Sequence, residues 1–333
     1  MKERSGKTTG LVILGGIVLL LLLSVFSVTQ GAVQIPLSVL REMLTHFDGE
    51  NSMHLIVRDL RLPRVLASAA VGMAFAVAGA VMQGTTGNPM ADSGLLGINA
   101  GAGFALSLCF AFVPGMGYLQ TILCSFLGAA AGTAMVNAVA GLRRGAAPMR
   151  LVLAGAAVSA LLTALSQGIA LYFDVEQDIL FWTAGAVAGS NWAQLSLMAP
   201  WLLGALLGAI LLSRSISLLS LGEETARGLG VNTDLIRLLS SLVVLVLAGA
   251  SVAAVGAVGF VGLMIPHAAR ALVGADYRAV IPASAVLGAL LMVAADLGAR
   301  MLNPPFETPV GVLTALVGVP FFLYLTRRQR RAV

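Results

Sequence analysis

Residues 11 to 29 read LVILGGIVLLLLLSVFSVT, an uncharged run of 19 residues that follows the basic residues Lys2, Arg4 and Lys7. An α-helix crosses the bilayer core with about 20 apolar residues, whereas the apolar part of a cleaved signal peptide has about 7 to 15. No small-x-small cleavage site follows the run cleanly. The stretch therefore predicts a first transmembrane helix that the mature chain retains.

The composition agrees with a membrane protein. Hydrophobic residues make up 58% of the chain, charged residues make up 11%, and the mean hydropathy is +0.94. An average soluble domain carries about a quarter charged residues. Cys109 and Cys124 both lie in apolar stretches, so neither a disulfide framework nor a metal site is indicated.

Further uncharged runs predict an all-α fold of about ten transmembrane helices. Two runs are too long for one crossing, and they break at VPGMG (113 to 117) and VGAVGFVG (255 to 262), because proline and glycine interrupt helices. The glycine-rich stretch ILFWTAGAVAGSNW (179 to 192) is expected at the membrane interface. After the first, the predicted spans are 65–82, 94–112, 119–140, 151–173, 194–212, 238–254, 258–272, 279–295 and 308–326.

Charge places both termini in the cytoplasm. With that orientation, five of the 20 Lys and Arg residues fall outside, leaving 15 inside: the outer five are Arg41, Arg58, Arg61, Arg64 and Arg300. Residues 1–10 then form a cytoplasmic N-terminus and residues 327–333 a basic cytoplasmic tail. The pI of 9.8 is thus a topology signal, and no nucleic-acid partner is needed to explain it.

The sequence predicts an internal repeat within one transmembrane domain, 1–333. An offset of 177 lays GAVMQGTTGNPMA (79 to 91) over GAVGFVGLMIPHA (256 to 268), with matching Pro89 and Pro266. The copies, 61–173 and 238–326, would contain spans 2–5 and 7–10. Because five spans separate their starts, the copies would have opposite orientations, and inverted repeats of this kind are typical of transporters.

A short polar stretch, LGEETARGLG (221 to 230), interrupts this apolar sequence inside the predicted cytoplasmic loop 214–237. Ser220 and Glu223 fit a capping box, and Glu223 and Arg227 are four residues apart and can pair. Gly228 and Gly230 can end such a helix. The other face would carry Leu221, Thr225 and Leu229. An ordinary capped surface helix would look the same.

Catalytic chemistry is not indicated. SGKT (5 to 8) resembles the tail of a phosphate-binding loop but lacks the upstream glycine and the preceding strand. The membrane part of the sequence is almost free of acids and histidines: His267 and Asp296 lie near span ends, and His267 is expected to cap or pack a helix. An ion-coupled secondary carrier would show more intramembrane acids or histidines. Such a carrier, or a structural or receptor membrane protein, stays open as an alternative.

The whole chain resembles the FecCD or BtuC family of ABC importer permeases, which carry iron siderophores, haem or cobalamin. The resemblance runs from about Arg61 to Leu325 and implies a BtuC-like type II importer fold. Its motifs are RLPR (61 to 64), AGAVMQGTTGNPMADSGLLGINAGAG (78 to 103), LVLAGAAVS (151 to 159), FWTAGAVAGSNW (181 to 192), GFVGLMIPHAAR (259 to 270), DLGAR (296 to 300) and PVGVLTALVGVPFF (309 to 322).

The resemblance implies partners and a coupling role for LGEETARGLG. This segment would enter a cleft on a separate ATPase, which binds ATP and Mg, while the permease itself binds no cofactor and is not an enzyme. The complex would hold a second permease copy or paralogue, two ATPases and an extracytoplasmic substrate-binding protein in the bacterial cytoplasmic membrane. The residues assigned to coupling are Gly222, Glu223, Glu224, Ala226, Arg227 and Gly230.

By the same resemblance, Arg61, Arg64 and Arg300 would face glutamates of the binding protein. Snorkelling of Arg61 and Arg64, and pairing of Arg300 with Asp296, are the alternatives. Ferric siderophore is the first choice of substrate, ahead of haem and cobalamin. Candidate pathway residues are Gln83, Asn88 and Asn99, although interhelical hydrogen bonds would explain them equally. The gate, AAPM (146 to 149) with Ala147 and Pro148, has no hydroxyl side chain, unlike some relatives.

Overall fold

The structure is a computed structural model that describes residues 6–31, 33–141, 148–185, 187–303, 306 and 308–330. These residues are helical and contain no β-strand. The helices are α1 (Gly6–Thr29), α2 (Leu37–Thr45), α3 (Ser52–Leu55), α4 (Leu62–Thr86), α5 (Ile98–Phe112), α6 (Tyr118–Ala140), α7 (Pro148–Phe173), α8 (Glu176–Thr183), α9 (Trp192–Leu219), α10 (Glu223–Gly228), α11 (Thr233–Val255), α12 (Val261–Val273), α13 (Tyr277–Leu302) and α14 (Val310–Arg330). A π-helical segment, Ile56–Arg61, joins α3 to α4, and a 3-10 turn, Ser93–Leu96, precedes α5.

The helices fall where the sequence predicts spans. Within the described residues, seven helical segments are long and apolar enough to cross a membrane: those containing α1, α4, α6, α7, α9, α11 and α13. The shorter apolar helices α5, α12 and α14 occupy the other predicted positions, and the count of ten crossings stays a prediction. Both predicted breaks are confirmed, because VPGMG separates α5 from α6 and VGAVGFVG separates α11 from α12.

Helix α4 is the centre of the bundle. The most apolar stretch of the helical segment Ser52–Thr86, which contains α4, is 78% buried inside the protein. Helices α9, α11, α12 and α13 surround α4. Small residues let the backbones touch: a Cβ on Gly72 would lie 2.2 Å from the Gly288 oxygen of α13, and a Cβ on Gly79 would lie 1.9 Å from the Gly262 oxygen of α12. Because helix packing in membranes depends on such close contact, glycine is required at these crossings.

Contacts along α4 fix the helix directions. Arg64 meets Asp296 near one end of α4, and Gly84 meets Tyr277 near the other, so α13 is antiparallel to α4. Helix α9 is parallel to α4, since the indole Nε1 of Trp192 donates to the Arg58 carbonyl at 2.8 Å and Ile216 packs at Gly84. The last turns of α4 and α9 therefore lie together with α10. We call this the α10 end of the bundle.

The two halves run in opposite directions, as inverted copies require. Helix α4, the first of one half, runs toward the α10 end, whereas α11, the first of the other half, runs away from it and antiparallel to α9, with Gln194 bonded to the Ala254 carbonyl. In both halves the next apolar helix is short: α5 has 15 residues and α12 has 13. The segment boundaries 61–173 and 238–326 stay predictions.

Candidate functional site: coupling segment and polar cavity

The polar stretch 221 to 230 forms a short helix at one end of the bundle, but the predicted capping box is wrong. The N-cap position of α10 is Gly222, which has no side chain to accept a hydrogen bond and takes a φ of +117°. Ser220 instead donates its hydroxyl to the Ser217 carbonyl at 2.7 Å. Because α9 continues to Leu219, Ser220 belongs to the end of α9 and cannot cap α10.

Ionic contacts attach α10 to α11. Glu223 pairs with Arg227 at 2.6 Å, which confirms the predicted pair, and its second oxygen pairs with Arg237 of α11 at 2.7 Å. Arg227 also donates from Nε to the Thr233 hydroxyl at 3.1 Å. Each partly exposed pair contributes at most about 1 kcal/mol, so orientation is their main effect.

The residues predicted to couple to the ATPase divide into those that hold the helix and those that face outward. Ala226 is fully buried, and its carbonyl accepts from the Val231 amide at 3.0 Å. Together with Glu223, it faces the rest of the chain. The outward face of the segment carries exposed residues: Leu221, Gly222, Glu224, Thr225, Arg227, Gly228, Leu229 and Gly230. Leu221 and Leu229, 68% and 61% exposed, give this face its apolar part.

The three arginines assigned to docking lie together at the opposite end of the bundle. Arg64 donates from Nε to Asp296 at 2.9 Å, and Arg300 pairs with the same carboxylate at 3.2 Å, which confirms the predicted Arg300 pairing. Arg61 donates to the Val28 carbonyl at 2.5 Å and also to that of Val33. Arg61 and Arg64 are buried, so neither snorkels outward. Their role in docking stays a prediction.

The candidate pathway residues do not share one place. Gln83 is buried and bonded to α12 and Arg270, and the Asn88 side chain accepts from the Met90 amide at 2.9 Å in a turn. Asn99 alone of these three lines a large cavity. Pro148 is the first residue of α7, and Ala147 lies outside the described residues.

That cavity, with a volume of about 540 Å³, lies between α5, α7 and α8 and ends at Ala257. Its size is in the range of small-molecule sites, about 300 to 1,000 Å³. Among the described residues that line it, Glu176 is the one ionisable group, and no lysine or arginine is present. Its polar groups are Asn99, Thr163, Ser166, Gln167, Glu176, Gln177 and Thr183.

One pattern in the sequence indicates this cavity, although the predicted spans do not depend on it. Thr163, Ser166 and Gln167 recur at helical spacing in an otherwise apolar run, which indicates a polar stripe on one face of α7. The spacing does not predict that these side chains line one cavity together with Glu176, because that depends on how α8 folds back beside α5 and α7.

Within the part of the chain that the structure describes, seven helical segments long and apolar enough to cross a membrane, packed in one bundle, define the class as a multi-pass membrane protein. The chain matches the model of the FecCD transport family over residues 19–328. It therefore belongs to the FecCD family and is the permease subunit of an ABC importer, with the ATPase on a separate subunit.

Two individual relatives and one solved structure agree with this family assignment. The chain is 46% identical over 324 residues to the iron(3+)-hydroxamate import system permease protein FhuB of Bacillus subtilis, covering 97% of this chain and 84% of the relative. It is 43% identical over 284 residues to the Fe(3+)-citrate import system permease protein YfmD of the same organism, covering 85% and 84%. A solved structure described as an inward-facing conformation of a metal-chelate type ABC transporter matches with a TM-score of 0.83 and 30% identity, covering 96% and 99%.

Proposed function

We propose that this chain translocates a ferric siderophore, and first of all a ferric hydroxamate, inward across the bacterial cytoplasmic membrane. The observation that carries the proposal is the lining of the 540 Å³ cavity, which offers amide and hydroxyl groups and the carboxylate of Glu176. Three hydroxamate groups neutralise a ferric ion, whereas three catecholates leave the chelate strongly anionic. A cavity without a described basic side chain favours the neutral or cationic chelate.

The energy for transport comes, in this proposal, from two ATPase subunits that bind ATP and Mg²⁺ and contact residues 221 to 230. Support comes from the outward face of this segment, where Leu221 and Leu229 are exposed beside Glu224 and Thr225. The ion pairs of Glu223 hold the helix against α11, so a push from the partner would move α11 with it. Two nucleotide-driven arrangements of the ATPases would thereby bias two states of the permease.

The extracytoplasmic binding protein is proposed to dock at the end opposite α10. Three guanidinium groups, those of Arg61, Arg64 and Arg300, lie at that end, and Arg64 and Arg300 both contact the carboxylate of Asp296. This cluster of basic side chains supports an acidic partner surface, since charge complementarity guides docking. Binding should then weaken as salt rises from low to physiological concentration, and an affinity independent of salt would contradict this part of the proposal.

We also propose that both termini are cytoplasmic and that a second permease, identical or paralogous, completes the pathway. Helix α1 is parallel to α13, because Gly16 packs on Val286 and Arg300 donates to the Ser27 carbonyl. The start of α1 therefore lies at the α10 end, on the side where the ATPases are proposed to bind. The excess of inside Lys and Arg supports the same orientation.

The substrate is tested by reconstituting the permease with its ATPase and binding protein in liposomes. ATP-dependent uptake is measured for a ferric hydroxamate, a ferric catecholate, haem and cobalamin. We expect uptake of the hydroxamate to exceed that of the other three. Preferred uptake of haem or cobalamin would contradict the siderophore assignment and identify a haem or cobalamin importer. Preferred uptake of the catecholate would contradict the argument that the cavity favours a neutral or cationic chelate.

A further inference from the structure

A proline in α12 leaves one backbone carbonyl without its helical donor. Pro266 has no N–H, so the carbonyl of Gly262, four residues earlier, cannot receive the usual helical hydrogen bond. Gln83 of α4 supplies the missing donor, because its Nε2 lies 3.2 Å from the Gly262 oxygen and 3.3 Å from the Leu263 oxygen. The contact of Gly79 with Gly262 brings the two helices close enough for this bond.

The other end of the Gln83 amide is bound as well. Its Oε1 accepts from Arg270 Nη2 at 2.6 Å, and Arg270 lies in the last turn of α12. Arg270 Nη1 makes a long contact of 3.5 Å with the hydroxyl of Tyr277, the first residue of α13. Gln83 is 2% exposed, so its amide is shielded from bulk solvent. The first and last turns of α12 are thus both fixed to one side chain of α4.

The start of α13 is tied in turn to the end of α9. The Tyr277 amide donates to Ser217 Oγ at 2.8 Å, and Ser217 Oγ donates to Asp276 at 2.9 Å. Burial raises the pKa of the Asp276 carboxyl, but hydrogen bonds from Arg278 and Ser217 lower it by more, so the carboxylate stays charged. Ser217 lies in the last turn of α9, five residues before Gly222.

The segment that precedes α12 reaches the cavity. Residues 256–260 lead directly into α12, and Ala257 among them lines the cavity wall. A Cβ on Gly256 would lie 2.0 Å from the Trp182 oxygen of α8, so this segment packs directly against α8, whose Trp182 also lines the cavity. A displacement of the first turn of α12 would therefore move the lining of the cavity.

We propose that Ser217, Tyr277, Arg270 and Gln83 form a relay that transmits displacement of the α10 segment to the first turn of α12 and so to the cavity. This inference rests on the proposed coupling role of residues 221 to 230. Gln83 is then a positioning residue, with no contact to the substrate. Coupling between distant sites is carried by contiguous packed and hydrogen-bonded groups that change position together.

The test compares Gln83→Leu and Ser217→Ala with a matched control, Gln194→Leu. Gln194 is also buried and donates its Nε2 to a backbone carbonyl, that of Ala254, at 2.6 Å, but it lies outside the relay. The complete importer, with ATPase and binding protein, is reconstituted in liposomes, and ferric hydroxamate uptake and ATP hydrolysis are measured together. Thermal unfolding of each variant gives its stability.

We expect Gln83→Leu and Ser217→Ala each to lower the uptake per ATP hydrolysed by about threefold to tenfold, and the double variant to lower it no further. Gln194→Leu should keep the wild-type ratio even if it lowers the melting temperature. An unchanged ratio in Gln83→Leu, or an equal fall in Gln194→Leu, would overturn the relay alone. ATP-independent uptake by the wild-type importer would overturn the proposed function and the relay with it.

Discussion

At the scale of single residues, Glu176 tests the proposed link between the cavity lining and the charge of the substrate. Replacing it by lysine places a positive charge among amide and hydroxyl groups. We expect Glu176→Lys to lower uptake of a cationic ferric hydroxamate about tenfold and to raise the relative uptake of an anionic chelate, because like charges repel and opposite charges attract. Competition uptake of the two chelates measures the shift.

Glu176→Gln serves as the control for that experiment, since it removes the charge but keeps the size of the side chain and one acceptor oxygen. It should give an intermediate selectivity. If the lysine and glutamine variants both retain the wild-type preference, the carboxylate does not influence the choice of substrate.

A substitution at Gly230 tests whether the backbone conformation of residues 221 to 230 matters for transport. Gly230 has a φ of +81° with no atom near enough to obstruct a Cβ, so an alanine there would be strained by its backbone alone. We expect Gly230→Ala to cost about 1 kcal/mol at this position and to lower ATP-driven uptake several-fold. The measurement is uptake per ATP in proteoliposomes.

Gly228 offers the matched control, because it lies in α10 without a positive φ and with open space around it. Gly228→Ala should leave uptake unchanged or slightly raise it, since alanine favours the helix. Equal losses in both variants would mean that the outward surface, and not the turn after α10, determines coupling.

At the scale of helices, the carboxylate of Asp296 joins α4 to α13. It is 2% exposed and faces Arg64, which is 11% exposed, and Arg300, which is 8% exposed. Removing one member of a buried pair leaves an uncompensated charge and costs about 3 kcal/mol. We expect Asp296→Asn to lower the melting temperature of the purified permease in detergent by several degrees.

The exposed pair of Arg58 and Asp59 provides the comparison. These side chains are 56% and 49% exposed and 3.6 Å apart, so Asp59→Asn should change the melting temperature little. Similar shifts in Asp59→Asn and Asp296→Asn would show that the buried cluster adds no stability beyond that of a surface pair.

Much of the helix arrangement follows from local sequence, and the contacts that define the site do not. Proline and glycine mark the breaks at 113 to 117 and 255 to 262, because these residues act on the backbone where they stand. The Glu223–Arg227 pair was predictable for the same reason. The pairing of Arg64 with Asp296, 232 residues apart, and of Gln83 with Gly262 depends on packing that no local pattern contains.

At the scale of the whole molecule, the two halves place a short helix at corresponding positions. Helices α5 and α12 each follow a long first helix and an irregular segment. Asn99 of α5 and Ala257, in the segment before α12, both line the cavity. Interrupted segments at matching positions of inverted repeats are where transporters place their substrate sites. The segment before α12 thus reaches a cavity that α5, α7 and α8 otherwise line, and α10 lies at one end of the bundle.

The central claim, that ATP hydrolysis by a partner drives inward transport through this permease, is tested most directly by changing the energy source. Proteoliposomes that contain the permease, its ATPase and its binding protein are given one ferric hydroxamate, either with ATP and Mg²⁺ or with an imposed proton or sodium gradient and no nucleotide. We expect accumulation with ATP alone, and its loss when a non-hydrolysable analogue replaces ATP. Accumulation driven by the ion gradient without ATP would contradict the account and identify a secondary carrier.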